Sequence, residues 1–161
     1  MLIKRLKTSG QVKWGDLVLN PGIRTWTEVD GKKSSAKPGP IATKSSWGFK
    51  TKPAGADTYF KLYFEGYLYF PRTEETRLLA GTSGTSIMVM VNGKRALYGS
   101  GDTEAPVQLL KGYNSVRGYI RVSVNKLGNK DKHPWGFISF TEQNGQSIDI
   151  PSELWFHDVT K

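Results

Sequence analysis

Hydrophobic and polar residues alternate with a period of two over much of the chain, which is typical of β-strands with one buried face. The longest such segment is Tyr59–Phe70, and its hydrophobic face carries Phe60, Leu62, Phe64, Leu68 and Phe70. Gly66 lies on the same face, which predicts a bend or a close backbone contact there. Pro71 should end the strand because it has no N–H for a neighbouring strand.

A hairpin is predicted where Ile87–Val91 is followed by Asn92-Gly93 and then by Lys94–Tyr98. Asn-Gly tolerates the positive φ angles that a type I′ turn requires. Val116–Val124 alternates in the same way, and shorter strands are expected at 106–110, 135–140 and 147–150. No window has a capped helical stripe. Many short strands separated by turns predict an all-β sandwich or barrel.

The first third of the chain is less regular. Asp16–Leu19 and Ile23–Val29 are predicted to form a hairpin around Asn20-Pro21-Gly22, and Asp30-Gly31 should make the next turn. Residues 31–56 are rich in Lys, Ser, Pro and Gly, as in a mobile linker or a functional loop. We therefore divide the chain into a basic arm, residues 1–56, and a sandwich domain, residues 57–161. An alternative joins residues 12–30 to the sandwich.

From about Thr58 to Asp158 the order of these elements resembles the PA14 domain. Phe64–Pro71 is similar to the family's strand that ends in GYL…P, and Ile87–Lys94 is similar to its V-x-L-x-I-D-G-K hairpin. Residues 106–122 match its L-x-x-G-x-Y-x-x-I-R-V passage, and residues 136–140 and 150–156 resemble its last strand and its IP…LF ending. The resemblance implies an antiparallel β-sandwich of jelly-roll type, carrying a basic N-terminal hairpin or arm.

Sugar-binding members of that family hold a calcium ion with adjacent acidic residues just before the Asn-Gly hairpin strand. In this chain the corresponding residues, 81–86, read Gly-Thr-Ser-Gly-Thr-Ser and contain no carboxylate. Calcium needs several oxygen ligands, usually including carboxylates. We therefore expect no calcium site. With no cysteine and two histidines in the chain, we also expect no other metal and no cofactor.

The net charge of +9 is concentrated near the beginning of the chain. Residues 1–55 contain 11 Lys/Arg against 3 Asp/Glu, whereas residues 56–161 contain 12 against 11. A basic segment usually faces an acidic partner or remains a solvated tail. As docking residues for an acidic protein surface we single out Lys4, Arg5, Lys7, Lys13, Lys32, Lys33 and Lys37.

We find no catalytic constellation and expect a protein that is not an enzyme. Residues 81–85 lack the second glycine of a Gly-x-Ser-x-Gly elbow. The chain has no hydrophobic run long enough to span a membrane and no export signal at its start. We therefore expect synthesis in the cytoplasm and a structural or attachment role on a virus, phage or other particle, present there in several copies.

Two other functions remain open from the sequence. The first is calcium-independent, lectin-like glycan binding, in which Tyr113 and Trp135 would stack on sugar rings. The second is nucleic-acid binding through the basic N-terminal region, where Trp14, Trp26 and Trp47 alternate with basic residues. No nucleic-acid-binding signature accompanies those residues. A glycan array separates the first of these functions from a purely structural role.

Overall fold

The computed structural model describes residues 11–34, 37–39, 46–128, 133–141, 147–149 and 155–159, and these form 15 strands and one 3₁₀ turn, Val124–Lys126. The first six strands are β1 (Val12–Trp14), β2 (Leu17–Pro21), β3 (Ile23–Val29), β4 (Lys32–Lys33), β5 (Lys37–Gly39) and β6 (Ser46–Gly48). The remaining strands are β7 (Tyr59–Phe70), β8 (Glu74–Ser83), β9 (Thr85–Val91), β10 (Lys94–Gly99), β11 (Thr103–Leu109), β12 (Gly112–Ser123), β13 (Trp135–Thr141), β14 (Ser147–Asp149) and β15 (Phe156–Asp158). No helix among these residues is long and apolar enough to cross a membrane.

The strands form two antiparallel sheets that pack face to face. The larger sheet has the order β1-β2-β15-β7-β12-β9-β10, with β3 also paired to β7 and carrying β4 and β5. The smaller sheet has the order β11-β8-β13-β14, with β6 paired to β13. This arrangement confirms the predicted all-β sandwich. Residues 12–29 lie in the larger sheet beside β7 and β15, whereas the domain boundary at residue 56 stays a prediction.

The core lies between the sheets and is built from the alternating faces seen in the sequence. On β7, Phe60, Phe64, Leu68 and Phe70 are buried, and Phe70 contacts Phe140 of the smaller sheet with ring centroids 5.8 Å apart. The hairpin between β9 and β10 turns at Asn92 and Gly93, which have φ angles of 50° and 82°. The predicted strand face and the predicted hairpin are therefore both confirmed.

The predicted hairpin between β2 and β3 is wrong, although both strands exist. β2 pairs with β1 and β15, whereas β3 pairs with β4, β5 and β7. Trp155 separates them: its ring fills the space where a side chain at Gly66 would stand, and its carbonyl accepts a 2.7 Å hydrogen bond from the Gly22 N–H. β3 and β15 consequently lie one after the other along the same edge of β7. The close contact expected at Gly66 is this indole ring.

Gly118 lets β12 lie tightly between β7 and β9. An added Cβ there would collide with the backbone carbonyl oxygen of Met88 and lie 3.1 Å from Cζ of Phe64. A backbone oxygen in the middle of a sheet moves less easily than a side-chain tip, so the clash must distort the pairing of the strands. Overpacking of this kind typically costs about 1–3 kcal/mol, occasionally more.

We expect Gly118→Ala to lower the free energy of unfolding by at least that amount in urea titrations. Gly136→Ala is the matched control, because it is also buried within a strand and its Cβ would meet side chains, the nearest atom being Cδ1 of Ile120 at 3.1 Å. Equal losses in the two variants would show that the Met88 carbonyl is not the cause.

His157 should make stability depend on pH. It is buried on β15, and burial lowers its pKa below the ordinary 6.5, an effect reinforced by the nearby Arg24 guanidinium. The unfolded chain therefore binds a proton at a higher pH than the folded chain does, and stability must fall as the pH drops below about 6.5. We expect chemical unfolding to give a lower free energy of unfolding at mildly acidic pH than at neutral pH. The variant His157→Gln should lose less stability over the same pH range, because it lacks the group that takes up the proton. An unchanged pH dependence in the variant would assign the loss to other groups.

Candidate functional site

A row of large side chains crosses the outer face of the larger sheet, the face turned away from the smaller sheet. Strand register places Trp26 opposite Tyr63, Tyr63 opposite Tyr119, Tyr119 opposite Met88 and Met88 opposite Tyr98. We call Trp26, Tyr63, Tyr119, Met88 and Tyr98 the aromatic row. It spans five adjacent strands, which corresponds to about 19 Å at the usual spacing between strands.

The rings within the aromatic row contact one another. Trp26 and Tyr63 stack in parallel with centroids 5.3 Å apart, and Tyr63 lies 5.5 Å from Tyr119 at an angle of 57°. Pairs of this kind contribute about 0.5–1.5 kcal/mol beyond the area they bury. Burial raises the pKa of Tyr63, the Lys61 ammonium opposes this shift, and the nearby Glu28 carboxylate adds to it. These contacts hold the rings in fixed positions.

Charged side chains flank the aromatic row on both sides. The same register places Arg24, Glu65, Arg117, Met90 and Arg95 along one side. On the other side it places Glu28, Lys61, Arg121 and Ser86. We call these two sets the flanking rows.

Two cations of the flanking rows, and Lys33 on the adjacent strand β4, lie over aromatic rings. The Nζ atoms of Lys33 and Lys61 are 4.7 Å and 4.4 Å from the centroids of Trp26 and Tyr119, respectively. Arg121 lies 4.1 Å from the centroid of Tyr59. An exposed cation–π contact of this kind contributes about 0.5–1 kcal/mol.

A groove of about 420 Å³ lies between the aromatic row and the flanking row that contains Arg117. Trp26, Tyr63 and Met88 line one side, and Glu65, Met90 and Arg117 line the other. Lys33 borders the same groove. A concave surface that combines rings, thioethers and a few charged groups can bind and orient a small or extended ligand.

Tyr113 and Trp135 were predicted to stack on sugars, and the structure places them on different sheets. Tyr113 is half-buried on β12 instead of exposed, because its ring meets those of Trp14, Tyr69 and Phe156 at centroid distances of 5.3–5.6 Å. Trp135 is 39% exposed on β13 of the smaller sheet and stacks on Phe137. The structure does not bring the two residues together, and their role in glycan binding stays a prediction.

The predicted docking lysines are also dispersed. Lys4, Arg5 and Lys7 lie outside the described residues. Lys13 is exposed on β1, Lys32 and Lys33 are exposed on β4, and Lys37 belongs to β5. Of this set, Lys33 is the residue that reaches the groove. Docking through these residues stays a prediction.

The segment expected to lack calcium ligands lies where β8 passes into β9. Thr82 forms hydrogen bonds to Gly101 there, accepting one from its N–H at 2.7 Å and donating one to its carbonyl at 3.4 Å. Within the described part of the chain, no group of three or more His, Cys, Asp or Glu residues is placed to hold a metal ion.

Comparison of the sequence with models of known protein families and with curated proteins finds no match. Solved structures do match. An anti-sigma factor domain-containing protein is 15% identical with a TM-score of 0.64, and the match covers 94% of this chain and 51% of that one. This chain thus spans about half the length of that protein.

Two further matches cover nearly the whole of both chains. The PA14 domain of the antifreeze protein MpAFP is 9% identical with a TM-score of 0.62, covering 91% of this chain and 96% of that one. The Epithelial Adhesin 9 A domain from Candida glabrata, solved in complex with Galβ1-4GlcNAc, is 13% identical with a TM-score of 0.60, covering 92% and 94%. The chain therefore has a PA14-like β-sandwich fold.

Proposed function

We propose that this protein is a calcium-independent carbohydrate-binding domain and that the aromatic row is its binding surface. The observation that carries the proposal is the groove beside Trp26 and Tyr63, where stacked rings and charged groups meet on one sheet face. Stacking groups and fixed charges can hold a ligand without changing it. This is the chemistry of a binding site.

The aromatic row suits the two kinds of surface that a sugar presents. The C–H groups of a pyranose ring are apolar and pack against aromatic rings and thioethers, whose bodies provide much contact area. Sugar hydroxyls need hydrogen-bond partners when they leave water, and Glu65 and Arg117 line the opposite side of the groove. Because the row crosses five strands, an extended oligosaccharide would lie across the strand direction.

The matched structures support this proposal at the level of the fold. The Epithelial Adhesin 9 A domain carries a bound disaccharide on a sandwich of the same type. The proposed site follows from this chain's own residues, since residues 81–86 contain none of the calcium-binding carboxylates that the family resemblance implies. Nothing in these similarities concerns a virus or phage particle, so the structural or attachment role expected from the sequence stays a prediction.

The direct test is a glycan array probed with purified protein, followed by affinity measurements on the best ligands. Trp26→Ala and Tyr119→Ala should each weaken binding about tenfold or more, which is the change expected when an aromatic contact worth about 1.4 kcal/mol is removed. Thermal melting of each variant must show that the protein is still folded.

Trp135→Ala tests the stacking role predicted from the sequence against the aromatic row, because it removes an exposed indole from the other sheet. We expect it to bind glycans as the parent protein does. Binding that survives Trp26→Ala and Tyr119→Ala but is lost in Trp135→Ala would move the site to the smaller sheet. An array on which no glycan binds selectively would contradict the proposal.

Calcium should affect neither stability nor binding. A ligand that binds only the folded state adds about 2.7 kcal/mol of stability at a hundred times its dissociation constant. We expect the melting temperature and the array profile to be the same in excess calcium and in chelator. A melting temperature raised by calcium and restored by chelator would reveal a calcium site and contradict the proposal.

A further inference from the structure

The cations around the aromatic row outnumber the carboxylates. The flanking rows contribute five cations, namely Arg24, Lys61, Arg95, Arg117 and Arg121, and Lys33, which pairs with Glu28 of the flanking row, adds a sixth. Glu28 and Glu65 are the carboxylates among the same positions. The surface around the groove is therefore positively charged.

Most of these cations have a structural contact. Arg24 donates a 2.9 Å hydrogen bond to the carbonyl oxygen of Asp158. Lys61 and Arg121 lie over tyrosine rings. Glu28 lies opposite Lys33 on one side and Lys61 on the other. Lys33 also lies over a ring, that of Trp26. It differs from Lys61 and Arg121 because, like Arg117, it is exposed and lines the groove. Arg117 and Lys33 are therefore the charges best placed for a ligand.

Arg117 and Lys33 differ in how they can bind an anionic group. The Arg117 guanidinium is a planar fork that can bind both oxygens of a carboxylate or sulfate group. Lys33 is a mobile point charge at the Trp26 end of the aromatic row. An anionic group beside the rings can reach one or both of them while the rest of the ligand stacks.

We propose that the ligand of this site is an anionic glycan, whose sugar rings stack along the aromatic row and whose carboxylate or sulfate groups bind Arg117 and Lys33. This inference rests on the proposed carbohydrate-binding function. It adds the chemical class of the ligand. The paired surface of rings and cations then selects acidic saccharides over neutral ones of the same backbone.

A single-stranded nucleic acid would also use rings and cations, but the charge pattern favours a saccharide. Grooves that follow a nucleic-acid backbone present cations along their whole length. Here Glu65 lies between Arg24 and Arg117 in the flanking row, and Glu28 lies opposite Lys61. A phosphate chain following either flanking row would meet a carboxylate.

The test compares dextran with dextran sulfate, and a methyl-esterified pectin with its de-esterified form, because each pair shares a backbone and differs in charge. A single-stranded oligonucleotide is the third arm. We expect each anionic polymer to bind at least tenfold more tightly than its neutral counterpart. The oligonucleotide should bind more weakly than either anionic polymer.

Matched variants distinguish binding at the groove from nonspecific attraction of an anionic polymer to a basic protein. Lys33→Gln and Lys111→Gln make the same change of charge, and Lys111 precedes β12 at a position about 20 Å along the strand from Arg117. We expect Lys33→Gln and Arg117→Gln each to weaken binding of the anionic polymers several-fold. Lys111→Gln should leave it unchanged, and Lys33→Arg should restore it.

The outcomes also distinguish this inference from the function it rests on. If neutral glycans bind as tightly as anionic ones and Trp26→Ala removes both, the inference fails and carbohydrate binding at the aromatic row stands. If Lys33→Gln and Lys111→Gln lose equal affinity, or Trp26→Ala has no effect on the anionic polymers, the binding is nonspecific and the inference fails. Tighter binding of the oligonucleotide would overturn it in favour of nucleic acid.

Discussion

The pairing of β7 with β12 is the constraint on which the rest of the structure depends. Twelve consecutive residue pairs join these strands, from Gly112 with Phe70 to Ser123 with Tyr59. Because side chains alternate strictly across a strand, this register assigns the core and the aromatic row at the same time. Phe64 and Ile120 face the smaller sheet, and Tyr63 and Tyr119 face outward. A slip of one residue would bury the tyrosines and expose the phenylalanines.

Two glycines, one on β12 and one on β7, allow the neighbouring segments to pack closely against these strands. Gly118 keeps β12 close to the backbone of Met88, and Gly66 leaves room for the Trp155 ring. Trp155 is fully buried and comes immediately before β15, so the end of the chain is anchored where β3 begins. The position of Trp26 beside Tyr63 therefore depends on a contact made by a residue more than a hundred positions later. The aromatic row and the sandwich core are coupled through this edge of β7.

The sequence was sufficient to predict individual strands, but not which strands pair along the edge of β7 where β3 and β15 lie. The alternation in Tyr59–Phe70 and the Asn92-Gly93 turn are local signals, and both were interpreted correctly. The pairing of β2 with β15 joins residues far apart in the chain, and the local turn signal at Asn20-Pro21-Gly22 gave no sign that Trp155 would separate β2 from β3. Hydrophobic periodicity reports which face is buried, and it carries no information about which strand lies alongside.

The same limit explains why the aromatic row was not recognised from the sequence. Tyr63 and Tyr119 were visible as the polar-face residues of two strands, and Trp26 as one of several tryptophans near basic residues. Only the register brings them into a single line, whereas Tyr113, which looked equally exposed, is covered by Trp14 and Phe156. On an outer sheet face, a tyrosine has the same local signature whether another segment packs over it or not. Long-range pairing therefore determines which side chains such a face presents, and in this chain it assembles the aromatic row on which the proposed carbohydrate binding rests.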